Sequence, residues 1–85
     1  MIKIDFIKHK IIECLEINGI FIDSINEDFD LRQYIIDSMQ FIGTIVTIED
    51  ELKIEIPPVY LHYDNLASFT AFCILIESLF EEIKT

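Results

Sequence analysis

At 85 residues, with 52 % hydrophobic side chains and only two Gly and two Pro, the sequence describes one small domain spanning residues 1–85. Such a chain can bury a core without metal or disulfide staples, and is neither disordered nor a many-turned β fold. Sixteen acids against six bases leave a net charge of −10, which argues against nucleic-acid backbones and for partners with basic surfaces.

From Ile2 to Ile17, the positions Ile4, Ile7, Ile11, Cys14 and Leu15 recur at helical spacing, and Asn18-Gly19 supplies a C-cap signal. Met1-Ile2-Lys3-Ile4-Asp5 lacks the apolar core and cleavage site of a signal peptide. No apolar run approaches the roughly 18 residues of a membrane span. The expectation is a cytoplasmic protein, without stable membrane insertion. Cys14 and Cys73 fit no metal or redox spacing and are expected to be buried free thiols. His9 and His62 stand alone, so no metal site is expected.

Residues 20–37 are irregular. Ile20, Phe21 and Ile22 precede a turn-like stretch from Asp23 to Asp28, and Phe29, Leu31, Tyr34, Ile35 and Ile36 are apolar again. A loop this long in a compact domain is usually functional, and its apolar residues predict that it is pinned to the core. Asp28 is expected to cap a short turn through Arg32.

Asp37-Ser38 then opens a helix from Met39 to about Lys53. The pair reads as an N-cap, since either side chain can accept from the orphan N–H groups of the first turn, or as a displayed hydroxyl. The expected buried face is Phe41, Ile42, Ile45, Ile48 and Leu52, with Gln40, Thr44, Thr47 and Glu51 opposite. Met39, Gly43, Val46 and Asp50 form a flank, either a surface for another protein or the edge of the core. Glu49, Asp50, Glu51 and Glu55 put negative charge where the helix macrodipole disfavours it; they are a docking site for Lys and Arg or a solvated charge run. Pro57-Pro58 ends this segment, Val59–Tyr63 is read as a short third helix, and Ser68 caps a last helix presenting Phe69, Phe72, Cys73, Ile76, Leu79 and Phe80. The fold class is all-α: three longer helices, a short third one and a long loop after the first.

This order resembles the acyl carrier protein family, including the peptidyl carriers, over nearly the whole chain. Ile36-Asp37-Ser38-Met39 is similar to the family's Asp-Ser-Leu attachment motif with Met replacing Leu. Ile48-Glu49-Asp50-Glu51-Leu52 followed by Ile54-Glu55-Ile56-Pro57 resembles its acidic helix end and x-I-x-I-P connection, and Leu66-Ala67-Ser68-Phe69 resembles the start of its last helix. The resemblance implies a four-helix bundle, and a non-catalytic, stand-alone, monomeric carrier holding acyl or aminoacyl groups as thioesters. Its cofactor would be 4′-phosphopantetheine, attached to Ser38 by a phosphopantetheinyl transferase, with Asp37 a candidate contact for the transferase's Mg²⁺. Its other partners would be a loading ligase or transferase and downstream enzymes with basic docking surfaces, meeting Met39, Val46, Glu49, Asp50, Glu51 and Glu55. A sequestered cargo would be lined by Ile42, Val46, Ile56, Leu61, Leu66 and Phe72, which otherwise simply pack as core.

Carriers of fatty acid synthesis often place acids at the positions of Gln40 and Gly43, and many members have Gly where Ile35 stands. These departures point to a specialised pathway, such as a secondary metabolite (polyketide or nonribosomal peptide) or a modified lipid. The alternatives are a fatty acid synthesis carrier and an unmodified helical interaction module with Met39 and Val46 as its apolar patch.

Overall fold

A computed structural model of the chain describes residues 2–23, 27–35 and 37–84, the side chains of Ile2, Lys3, Tyr63, Glu82, Ile83 and Lys84 aside. The turn-like Ser24, Ile25 and Asn26, the apolar Ile36, the packing of Tyr63 and the solvent end at Glu82 and Lys84 therefore lie outside the description. Three helices carry the fold: α1 (Ile2–Ile17), α2 (Ser38–Leu52) and α3 (Phe69–Lys84). No strand occurs among the described residues.

The expected third helix is two 3₁₀ turns instead, Pro58–Tyr60 and Tyr63–Leu66, so three α-helices and not four occur among the described residues. Pro58 starts the first turn where its missing N–H costs nothing, and Leu61 N–H closes it on the Pro58 carbonyl at 3.0 Å. Asn65 Nδ2 donates to the Tyr60 carbonyl at 2.7 Å and staples the two turns together.

α1 ends as Asn18-Gly19 predicts. Gly19 takes a φ of 83°, and Ile20 N–H reaches back to the Leu15 carbonyl at 2.8 Å, the wrap that leads the chain off a helix end. α2 ends the same way without a glycine. Lys53 sits at φ 56° and ψ 43°, and Ile54 N–H bonds the Glu49 carbonyl at 3.2 Å. A side chain in this left-handed conformation is strained, so Lys53→Gly is expected to stabilise the fold by about 0.5–1 kcal/mol. A thermal midpoint higher by several degrees would register it; an unchanged or lower one would count against the strain.

The core draws on every segment. Ile7, Ile11 and Leu15 from α1 meet Ile48 from α2 and Phe69 and Ile76 from α3, all fully buried. The long loop is pinned as expected, through Ile20, Leu31 and Ile35. Ile35, which stands where many members of the resembled family have Gly, thus occupies the core. Cys14 and Cys73 are free and buried, and burial pushes their thiols up to about 11 and about 12, which leaves almost no thiolate at neutral pH.

The loop is also latched by its acids, though not in the expected arrangement. Asp30, not Asp28, caps the short turn Leu31–Gln33, its Oδ1 accepting from Arg32 N–H at 2.9 Å. Arg32 Nε and Nη2 also fork onto the two Asp30 oxygens at 2.9 and 2.8 Å, and Nη1 extends to Asp64 at 3.2 Å. Asp28 caps α3 from 40 residues away. Its oxygens accept from the Ser68 hydroxyl at 2.7 Å and from Thr70 N–H at 2.9 Å, while the Ser68 hydroxyl oxygen accepts from Ala71 N–H at 3.1 Å. The Thr70 N–H and then the Ser68 hydroxyl hold the Asp28 carboxyl below its ordinary 3.8, and the Arg32 guanidinium does the same for Asp30. With the folded-state values depressed, this stabilisation is whole above the unfolded value of about 3.8 and is lost as pH falls through the folded values. Asp28→Asn and Asp30→Asn should therefore be less stable than wild type at pH 7. Their stability should also vary less with pH below about 4 in denaturant titrations.

Candidate functional site

Asp37 and Ser38 divide the two roles that the sequence leaves open. Asp37 is the N-cap: its φ of −149° and ψ of 166° are extended, and its Oδ1 accepts from Gln40 N–H at 2.9 Å. Ser38 is the first residue of α2, and it is exposed. Because its neighbour does the capping, the Ser38 hydroxyl stands in solvent at the positive end of a 15-residue helix.

Behind Ser38, α2 is flanked on two sides. Its core side carries Ile45, Ile48 and Leu52 as expected. Thr44, expected on the opposite face, is only 2 % exposed and its hydroxyl has no partner among the described residues. Ile42, expected in the core, is 57 % exposed. Both corrections come from α1, which lies against the flank holding Gly43 and Thr47. Asn18 donates to the Cys14 carbonyl at 2.8 Å and to Thr47 Oγ1 at 3.1 Å, and Thr47 donates to the Gly43 carbonyl at 2.8 Å. A Cβ at Gly43 would collide with Asn18 Oδ1, so this glycine serves the α1–α2 approach and is not an open surface. Lys10, 3.5 Å from Glu51, closes the other end of the same seam.

The face of α2 turned away from both flanks is apolar and open: Met39 is 78 % exposed and Val46 56 %. The acids beyond it point three ways, as consecutive residues on a helix must. Glu49 turns inward and its Oε2 accepts from Ile56 N–H at 2.8 Å; Asp50 and Glu55 are exposed; Glu51 faces Lys10.

Between α2 and the segment after Pro58 runs a groove of about 180 Å³, lined by Phe41, Ile42, Ile45, Val46, Glu49 and Leu61. Of the residues expected to line a cargo cavity, Ile42, Val46 and Leu61 stand here, while Ile56, Leu66 and Phe72 are buried in the core. Phe41, Ile45 and Glu49 were not anticipated. The signal for two of them is the spacing 38, 42, 45, 49, which puts Ser38, Ile42, Ile45 and Glu49 on one stripe of the helix. Among the described residues there is no cluster of three or more His, Cys, Asp or Glu able to hold a metal, and no helix long and apolar enough to cross a membrane.

The fold is that of a small all-helical domain with an exposed serine at the start of its second helix. The family described as the phosphopantetheine attachment site matches residues 9–73, and the chain belongs to that family. No curated protein and no solved structure matches the chain. Family membership makes the protein a non-catalytic carrier of covalently attached 4′-phosphopantetheine, modified by a phosphopantetheinyl transferase and used by biosynthetic enzymes.

Proposed function

We propose that Ser38 is the attachment residue and that this chain is a single carrier domain, residues 1–85, of a specialised biosynthetic pathway. The observation that carries the reading is the division of labour at the start of α2. Asp37 caps the helix and leaves Ser38 exposed, one helical turn before the groove residue Ile42. The residues fit the group: a phosphodiester at this position meets the positive end of the helix dipole and nearby backbone N–H groups. In the loading reaction the Ser38 oxygen bonds to the phosphorus of the pantetheine phosphate of coenzyme A. The bond to 3′,5′-ADP breaks, and the serine proton leaves to solvent or a base of the transferase. Asp37 offers carboxylate oxygen to the transferase's Mg²⁺. Once attached, the group supplies a terminal thiol that holds acyl or aminoacyl cargo as a thioester.

Partner enzymes dock on the open face of α2, with Met39 and Val46 as the apolar centre and Asp50 and Glu55 as exposed acids; Glu49 and Glu51 contribute less because each already has an internal partner. The specialised pathway is inferred from Gln40 and Gly43, where fatty acid carriers often present acids. An acid at Gly43 would displace the Asn18 side chain from its bonds to the Cys14 carbonyl and Thr47. Two buried free thiols fit a reducing cytoplasm.

Incubation with coenzyme A, Mg²⁺ and a broad-specificity transferase should raise the intact mass by one phosphopantetheinyl unit. Binding to a fatty acid synthase enzyme as tight as a housekeeping carrier's would overturn the pathway assignment.

A further inference from the structure

We infer that Glu49 selects the cargo: the groove takes a short acyl chain whose far end carries a hydrogen-bond donor, an ammonium or a hydroxyl, in preference to a plain alkyl chain. This rests on Ser38 being the attachment residue. Five of the six groove residues are apolar and the sixth is a carboxylate. Ser38, Ile42, Ile45 and Glu49 share one stripe of α2, and Glu49 lies about 16 Å beyond Ser38 at 1.5 Å per residue. A chain entering from the Ser38 end therefore meets Ile42 and Ile45 first and the carboxylate last.

The carboxylate is fixed in place. Ile56 N–H donates to Oε2 at 2.8 Å, so the group needs little further ordering to receive a ligand. That bond uses one of the roughly four acceptor positions of a carboxylate. An alkyl chain laid along the groove strips water from the remaining positions and returns nothing, which is unfavourable. A donor at the same point replaces the lost water with a charge-assisted bond. The groove's volume of about 180 Å³ suits a short chain. At about 30 Å³ per water-sized group it holds roughly six heavy atoms. Nothing else in the lining distinguishes one chain of that size from another, so selectivity falls to Glu49.

The test loads the protein with three chains of equal length, hexanoyl, 6-hydroxyhexanoyl and 6-aminohexanoyl, each joined to the arm by a stable amide in place of the thioester. Intact mass confirms loading first. Groove occupancy is then read from NOEs between the chain and the Ile42, Ile45 and Leu61 methyls. The amino and hydroxy chains should occupy the groove more than hexanoyl, the amino chain by roughly tenfold, the ratio that a charge-assisted hydrogen bond supplies. Glu49→Gln keeps an oxygen for Ile56 N–H but removes the charge. It should bring the amino chain down towards the hexanoyl level while leaving the Ile56 amide protected from exchange. Equal or greater occupancy by hexanoyl in the wild type, or an undiminished preference in Glu49→Gln, would overturn the assignment to Glu49. A protein that takes no load at all would instead sink the Ser38 reading, and this one with it.

Discussion

Ser38→Ala is expected to abolish loading by phosphopantetheinyl transferases completely while leaving the fold as it is. The two halves of that result have separate causes. Loading needs a nucleophilic oxygen at this position, and alanine has none. Stability does not need it, because the cap of α2 is the Asp37 carboxylate on Gln40 N–H, and Ser38 is an exposed first-turn residue. Alanine is also the better helix former, so the change in stability should stay within about 0.5 kcal/mol. Circular dichroism and a thermal melt would read the fold, and intact mass the loading. A variant that still gains mass would mean that another hydroxyl is the attachment point. A variant that unfolds would mean that Ser38 is structural.

Phe69→Ala should be the most destabilising single change of this kind. Phe69 is fully buried, its ring stacks on Phe29 at 4.7 Å and 15°, and Phe29 in turn meets Tyr34 edge-on at 5.3 Å. The backbone repeats the contact, with Phe69 N–H on the Phe29 carbonyl at 2.8 Å. One side chain thus anchors both the start of α3 and the middle of the long loop that leads to Ser38. Truncating a buried Phe costs about 3–5 kcal/mol. A domain of this size has in total only about 4–13 kcal/mol, at 0.05–0.15 kcal/mol per residue. Urea denaturation should show a loss of about 3–5 kcal/mol, a large part of that total, and Phe69→Leu should recover much of it because the volume is largely restored. A loss below about 1 kcal/mol for Phe69→Ala would show that the cluster does not hold the loop.

The sequence made α1 and α3 legible because each carries an unbroken apolar stripe at helical spacing and a local end signal, Asn18-Gly19 for one and Ser68 for the other. The faces of α2 were harder. Nothing near Gly43 in sequence announces that Asn18, 25 residues earlier, lies against it, so Thr44 was placed on the face opposite the core and Ile42 on the buried one. Asp28 misled for the same reason: its partners at Ser68 and Thr70 are distant in sequence, and the short turn through Arg32 is capped by Asp30 instead. Val59–Tyr63 looked like a short helix because its composition allows one. Pro57-Pro58 and the early closures at Leu61 and Ala67 keep the segment to two 3₁₀ turns. At the candidate site the Asp37-Ser38 pair stood out at once. Which residue caps and which is displayed depends on where the helix begins, a matter of one residue that spacing alone did not resolve.

The most direct test is to locate the modification. The protein would be incubated with coenzyme A, Mg²⁺ and a transferase, digested, and mapped by tandem mass spectrometry across its four serines, Ser24, Ser38, Ser68 and Ser78. One phosphopantetheinyl unit on Ser38 and none on the others is the expected result. A unit on another serine, or none with several transferases, would contradict Ser38 as the attachment residue.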